Sequence, residues 1–320
     1  MHALVYDGEL RLEPHHPEPT AAGDEALIAV RLAGICNTDL EIARGYMDFQ
    51  GVLGHEFVGE VLAAPAPEWI GARVVGEINC GCGRCWWCER GRERHCPRRT
   101  VLGISGRDGV FAEKTTLPVR NLHRVPDGLS DTEAVFVEPV AACCEILEQV
   151  DVSGFERRAV LGDGKLGLLA AQVLATDGRP VILVGKHPEK MAIVAGDLIH
   201  PQTLAQLHVE PTFDLLVECT GSPNGLHLAT QLVRPRGTIV LKSTTAAAAE
   251  LPAARWVVDE VTVVGSRCGR FPPALELISQ GVLKLAELVS ATVPLGEALS
   301  AFRLAQAPGV LKVLIDVQPG

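Results

Sequence analysis

Cys36, His55 and Glu56 offer a thiolate, an imidazole and a carboxylate, with Gly54-His55-Glu56 opening eighteen residues after Cys36. Zinc accepts a mixed sulfur, nitrogen and oxygen donor set of this kind readily. Glycines at 54 and 59 bracket the His-Glu pair and let the backbone turn tightly beside it. A His-Glu pair alone is also what an ordinary core or surface contact looks like, so the surrounding sequence has to decide.

A second group is denser. Cys82, Cys85 and Cys88, with Cys96 eight residues further on, place four thiolates on one short loop. Four thiolates around zinc make a closed tetrahedral site that can hold a loop lacking its own core. The same spacing suits an iron–sulfur cluster or a redox dithiol. Cys80 is surplus to a set of four.

Two further stretches carry chemistry. Gly162-Asp163-Gly164-Lys165-Leu166-Gly167 follows a short strand of buried type at 158–161, and Leu166, Leu169, Ala170, Val173 and Leu174 then keep helical spacing. Glycines between a strand and a helix let a diphosphate approach the helix N-terminus. Ser130-Asp131-Thr132-Glu133 reads as a capping box. Pro139 should interrupt the helix that follows, with Glu138 turned out of helical geometry before it. That carboxylate either points at a site or is a solvated turn group; the helix resumes over 141–150.

The elements that position these residues divide the chain. Runs at 26–32, 57–62 and 72–78 read as strands punctuated by Gly, Asp and Pro, the pattern of a turn-rich, partly closed barrel. From residue 158 the pattern becomes strands at 158–161, 181–184, 213–217, 238–241 and 261–264 alternating with helices, which implies a parallel, doubly wound sheet. Between 192 and 211 there is little room for a full helix and strand, so one side of the sheet is expected to be trimmed. Phe271-Pro272-Pro273 precedes a helix to Gln280, and a strand at 310–317 ends the chain. The alanines at 246–249 are too few to count as low complexity, and His187, His200, His208 and His227 read as surface or packing residues.

Bulk composition excludes several functions. The 320 residues are 47% hydrophobic and 21% charged, as in a globular protein with room for two domains. A net charge of −10 without a basic run argues against a nucleic-acid surface. No apolar run reaches membrane-spanning length, and the first residues lack the basic start and apolar centre of a signal peptide. A cytoplasmic protein is expected, whose ten cysteines need a reason other than disulfides.

Together the motifs Gly34-Ile35-Cys36-Asn37-Thr38-Asp39, Gly54-His55-Glu56, the four-cysteine lobe, Glu138-Pro139 and the glycine turn occur in one order. In that order the chain resembles the medium-chain dehydrogenase/reductase superfamily, in its zinc-dependent alcohol and polyol dehydrogenase branch, over nearly its whole length. The resemblance implies an α/β fold: a Rossmann-type doubly wound sheet at 145–271, and a β-rich GroES-like catalytic domain at 1–144 and 272–320. It implies a structural zinc on Cys82, Cys85, Cys88 and Cys96. It also implies a catalytic zinc on Cys36 and His55, with Glu56 as ligand or one step removed, and Glu138 as ligand or holder of bound water. Asp39 would orient the histidine.

The implied reaction is reversible hydride transfer between a nicotinamide cofactor and an alcohol, polyol or sugar-like hydroxyl. Zinc would lower the pKa of the hydroxyl as a Lewis acid, and Thr38 would pass its proton outward. Glu41 stands where a histidine often continues that relay, so the proton leaves by Glu41 or by water. Asn37, Thr38, Tyr46 and Phe49 are the candidate pocket neighbours. The cofactor set comprises Gly162, Gly164, Lys165, Leu166, Gly167, Gly185, Lys186 and Thr220. Gly185 ends the second strand where an acid would bind ribose hydroxyls; without that acid, and with Lys186 next, NADP is expected over NAD. The competing reading is a regulatory protein that keeps fold and ligands without turnover. Relatives assemble as homodimers or homotetramers, often through the last strand of the dinucleotide domain, here 261–264.

Overall fold

Side chains alternate between buried and half-buried along Glu25–Gly34, the period of a strand with one face on a core. The computed structural model describes residues 1–243 and 251–318, so the alanines at 246–249 lie outside the described residues. The chain divides into two compact units, Met1–Glu138 with Leu285–Gly320, and Pro139–Lys284.

The first unit begins with β1 (Ala3–Tyr6), β2 (Leu10–Glu13) and β3 (Glu25–Gly34), then α1 (Asn37–Ile42), β4 (Gly51–Val52), β5 (Glu56–Ala63) and β6 (Arg73–Gly76). A two-stranded ribbon of β7 (Asn79–Cys80) and β8 (Thr100–Val101) flanks the cysteine loop, and β9 (Lys114–Pro118) and β10 (Leu122–Arg124) follow. Then comes α2 (Asp131–Val135). Its start is the capping box read from the sequence: Ser130 Oγ accepts from the Glu133 amide at 3.2 Å, and Glu133 accepts from the Ser130 amide at 2.8 Å. Asp131 also accepts from Arg31 on β3 at 2.8 Å and Arg73 on β6 at 3.0 Å, which ties α2 to the sheet.

The helix break differs from expectation. It falls at Phe136, and α3 (Val137–Gln149) contains both Glu138 and Pro139 in its first turn. A proline there loses nothing, because first-turn amides have no intrahelical acceptor.

The second unit is a wound sheet. β11 (Arg158–Leu161), α4 (Lys165–Ala175), β12 (Val181–Gly185), α5 (Pro188–Val194), β13 (Ile199–Thr203), β14 (Phe213–Glu218), α6 (Pro223–Leu232), β15 (Val233–Leu241), α7 (Ala253–Val258), β16 (Thr262–Gly265) and α8 (Phe271–Ser279) follow in turn. The six strands are parallel in the order β13-β12-β11-β14-β15-β16. Central β11 and β14 are buried at every residue, as strands covered on both faces must be. Arg158 is buried within this layer, where Asp177 receives it through both oxygens at 2.8 and 3.1 Å. The trimming expected between 192 and 211 spares the strand: β13 pairs with β12, and no helix follows it.

The chain then returns to the first unit with β17 (Val289–Pro294), α9 (Ala298–Ala305) and β18 (Lys312–Asp316). β18 lies antiparallel to β3, completing a seven-stranded sheet in which β3 also pairs with β5 and β9. No described helix is long and apolar enough to cross a membrane.

Asp131 receives two guanidinium groups while about one-fifth exposed, so replacing it should cost more than a surface pair. We expect Asp131→Asn to destabilise the first unit by about 1–2 kcal/mol in urea unfolding.

Candidate active site

The end of β3 and the start of β5 lie in register, Gly34 opposite Glu56, and this brings the segment after Gly34 beside His55. Cys36 caps α1, and Asp39 three residues on accepts its amide at 2.8 Å. The second oxygen of Asp39 lies 3.1 Å from Nδ1 of His55, off the axis of a hydrogen bond, with both side chains buried. Asp39 thus ties the helix start to the ring and leaves the ring's other nitrogen for a ligand. Thr38 Oγ1 stands 3.8 Å from Cys36 Sγ.

Cys36, His55 and Glu56 each place one donor atom within 4.8 Å of the others. Glu138 is half-buried in the first turn of α3 and falls outside that group. Burial works against a charged His55 ring, but Asp39 and then Cys36 outweigh it and hold its pKa well above the ordinary value. A pocket that so strongly favours a positive centre, built from sulfur, nitrogen and oxygen donors, fits a zinc ion that would replace the proton.

One partner of this group was not visible in the motifs. Lys312 at the start of β18 is 1% exposed and pairs through Nζ with the Glu56 carboxylate, itself 1% exposed. Nζ also lies 3.4 Å from the Ile35 carbonyl and 5.7 Å from the Phe136 ring centre. Gly34 makes the pair possible: a Cβ there would come within 2.7 Å of the Glu56 carboxylate and 2.9 Å of the Lys312 side chain. The sequence signal was a lysine at the head of the apolar run Val313-Leu314-Ile315. Glu41 is spent on Arg44 at 2.7 Å, on the same turn of chain. Phe49 is 5% exposed, whereas Asn37 is exposed and Thr38 and Tyr46 are half-buried.

The four cysteines of the lobe also converge, each placing its sulfur within 4.8 Å of the others. Cys85 lies 3.5 Å from Cys88 and 3.7 Å from Cys96. Sulfurs bound tetrahedrally to zinc stand about 3.8 Å apart, far beyond a disulfide bond. The Arg84 backbone amide, then Arg98, bring the Cys82 thiol down to about 6, whereas burial pushes Cys88 up to about 11. Cys80 stands apart, buried in β7, with its thiol raised to about 11 by burial.

In the second unit the glycine turn closes as the motif requires. Gly162 has φ +122°, and a Cβ on Gly167 would come within 2.0 Å of the Gly162 carbonyl, so α4 packs directly on the turn. A Cβ on Gly164 would meet nothing within 4 Å, and Gly164 caps α4. That leaves open space at a helix N-terminus where a diphosphate fits. Lys165 and Leu166 begin α4. Thr220 is engaged in its own turn, donating its hydroxyl to Glu218 and accepting from the Ser222 amide at 3.1 Å.

The expectation for Gly185 changes. Asp163 reaches across from the glycine turn, so the end of β12 does carry a carboxylate, supplied by another residue. Its Oδ2 accepts from the amides of Lys186 and His187, each at 2.6 Å. The absence of an acid at 185 therefore gives no ground for preferring NADP.

A β-rich unit with a mixed-donor site and a four-thiolate lobe, in one chain with a wound sheet carrying a dinucleotide turn, defines a zinc-binding dehydrogenase. Residues 22–127 match the alcohol dehydrogenase GroES-like domain and residues 166–280 the zinc-binding dehydrogenase domain. The chain is 31% identical to L-threonine 3-dehydrogenase of Streptomyces coelicolor over 94% of each chain, and 26% identical to sorbitol dehydrogenase of Halalkalibacterium halodurans over 93% of each. Among solved structures, it is similar to an alcohol dehydrogenase of Escherichia coli complexed with NADH (TM-score 0.89, 25% identity, 99% of each chain). It is equally similar to a zinc-binding dehydrogenase of Sinorhizobium meliloti bound to NADP (TM-score 0.88, 27% identity, 99% of each chain). The chain belongs to the zinc-containing medium-chain alcohol/polyol dehydrogenase family. It is a zinc- and NAD(P)-dependent dehydrogenase acting on CH–OH donors.

Removing one partner of the buried pair strands the other. Lys312→Met should cost about 3–5 kcal/mol in urea unfolding, and adding Glu56→Gln should recover the larger part.

Proposed function

We propose that the protein oxidises a secondary hydroxyl of a polyol, sugar-like or amino-alcohol substrate, and reduces the corresponding carbonyl in reverse. The observation that carries this reading is the convergence of Cys36, His55 and Glu56 within 4.8 Å, in a buried setting separate from the closed cysteine lobe. Cys36 and His55 would hold the catalytic zinc, with Glu138 or Glu56 supplying the carboxylate. When bound there, zinc supplies Lewis acidity that lowers the pKa of a substrate hydroxyl.

The remaining work belongs to the chain. Asp39 fixes the direction of the His55 ring from 3.1 Å, so that the ligand nitrogen is set before metal arrives. Lys312 occupies an oxygen of Glu56 and holds that carboxylate back, which favours Glu138 as the exchanging acid. Thr38, beside Cys36 at 3.8 Å, takes the hydroxyl proton and hands it outward. With Glu41 paired to Arg44, the proton leaves through water. Gly162, Gly164 and Gly167 hold the dinucleotide diphosphate at the start of α4.

The substrate class rests on relatives named for sorbitol and for position 3 of L-threonine. β16 ends the six-stranded sheet with one neighbour, and pairing of two such edges is the assembly we propose, giving a homodimer or homotetramer.

The decisive variant is Cys36→Ser. We expect zinc content to fall from about two ions per chain to about one. Nicotinamide reduction across a panel of alcohols, polyols and aldoses should vanish, while NADH binding and the circular dichroism spectrum stay unchanged. Turnover retained by Cys36→Ser would refute the assignment.

A further inference from the structure

In wound dinucleotide-binding sheets, an acid at the end of the second strand ordinarily accepts hydrogen bonds from the adenosine ribose hydroxyls. This chain has Gly185 at that point of β12, yet a carboxylate is there. Asp163, the residue between the first two glycines of the turn, extends over the strand end. Its Oδ2 receives the amides of Lys186 and His187 at 2.6 Å each, and the His187 ring nitrogen at 3.0 Å. The two features are matched. A Cβ on residue 185 would lie within 2.5 Å of both Cβ and Oδ2 of Asp163, so an acid at the usual place would expel this one.

Successive backbone amides aimed at one point form an anion site. The pair at Lys186 and His187 sits where a 2′-phosphate on the adenosine ribose would be received, and Asp163 already fills it. Burial opposes a charge on this side chain, but the His187 amide, the His187 ring and the Lys186 amide outweigh it and keep the carboxyl below its usual range. It is a fixed negative charge with a side chain 12% exposed, and all three of these donors go to a single oxygen. Oδ1 is then the oxygen to accept from ribose hydroxyls, and a phosphate arriving here would meet like charge and donors already taken.

We infer that Asp163 is the residue that selects the dinucleotide: it replaces the missing strand-end acid, accepts the adenosine ribose hydroxyls, and turns away a 2′-phosphate. NADH is therefore the tighter ligand.

Calorimetric titration of the zinc-loaded enzyme with NADH and with NADPH reads this selection without turnover. Wild type should bind NADH at least about tenfold more tightly. Asp163→Ser should bring the two affinities within about threefold of each other, mainly by a gain for NADPH. Asp163→Gly combined with Gly185→Asp should restore the preference, since loss of the whole side chain at 163, Cβ included, clears the contacts that a Cβ at 185 would make. Should Asp163→Ser fail to fold by circular dichroism, Asp163→Asn removes the charge while keeping an acceptor for the two amides, and should shift the ratio the same way. Equal affinities in wild type, tighter NADPH binding, or a ratio unchanged in these variants would overturn the inference. Binding of neither dinucleotide would overturn the dinucleotide assignment of the turn as well.

Discussion

A carboxylate and an ammonium, Glu56 and Lys312, each 1% exposed, face each other at the mixed-donor site. Taking either charge out of water alone would cost several kcal/mol, so each requires the other. Burial lowers the Lys312 ammonium to about 8, against the opposing pull of Cys36 and Asp39. Much of the first unit follows from seating this pair. Gly34 must be without a side chain, β18 must run beside β3, and the last part of the chain must return to a sheet begun by its first part. The discontinuity of the unit is thus tied to the chemistry: the cation comes from residue 312 and the anion from residue 56.

The two groups that could hold a metal are built in opposite ways. The lobe collects four sulfurs on a loop of short turns, and an arginine and backbone amides lie against them, so negative charge is satisfied inside the loop. Such a set leaves zinc no open position. The site at Cys36 and His55 brings one sulfur and one ring, with Asp39 behind the ring and Lys312 drawing Glu56 aside. In the proposed catalytic site fewer donors would be committed to a metal, which would leave a coordination position for substrate.

Much of this was legible in the sequence because the signals are local. Ser130 and Glu133 cap α2 as their spacing indicates, and the four cysteines meet because a short loop cannot separate them. The strand–glycine–helix order likewise fixes the turn at Gly162. The misses are of two kinds. Lys312 and Asp163 act on partners brought close by strand pairing, and no spacing rule reports a contact between residues 56 and 312, or between residues 163 and 187. The others are ambiguities of proline. From the sequence Pro139 reads as a break, whereas a first-turn position accommodates it. The interval at 192–211 reads as too short for a full helix and strand, yet β13 forms there as an edge strand, where the amide missing at Pro201 can face away from the single neighbour.

X-ray absorption at the zinc edge tests the central assignment most directly, because it counts the atoms around each metal. The wild-type protein should contain about two zinc ions per chain, one surrounded by sulfur alone and the other by a single sulfur with nitrogen and oxygen. Averaged over both, the spectrum should show sulfur mixed with lighter donors. A single ion per chain with a purely sulfur shell would contradict the assignment, leaving Cys36, His55 and Glu56 as a buried polar cluster with no metal to hold.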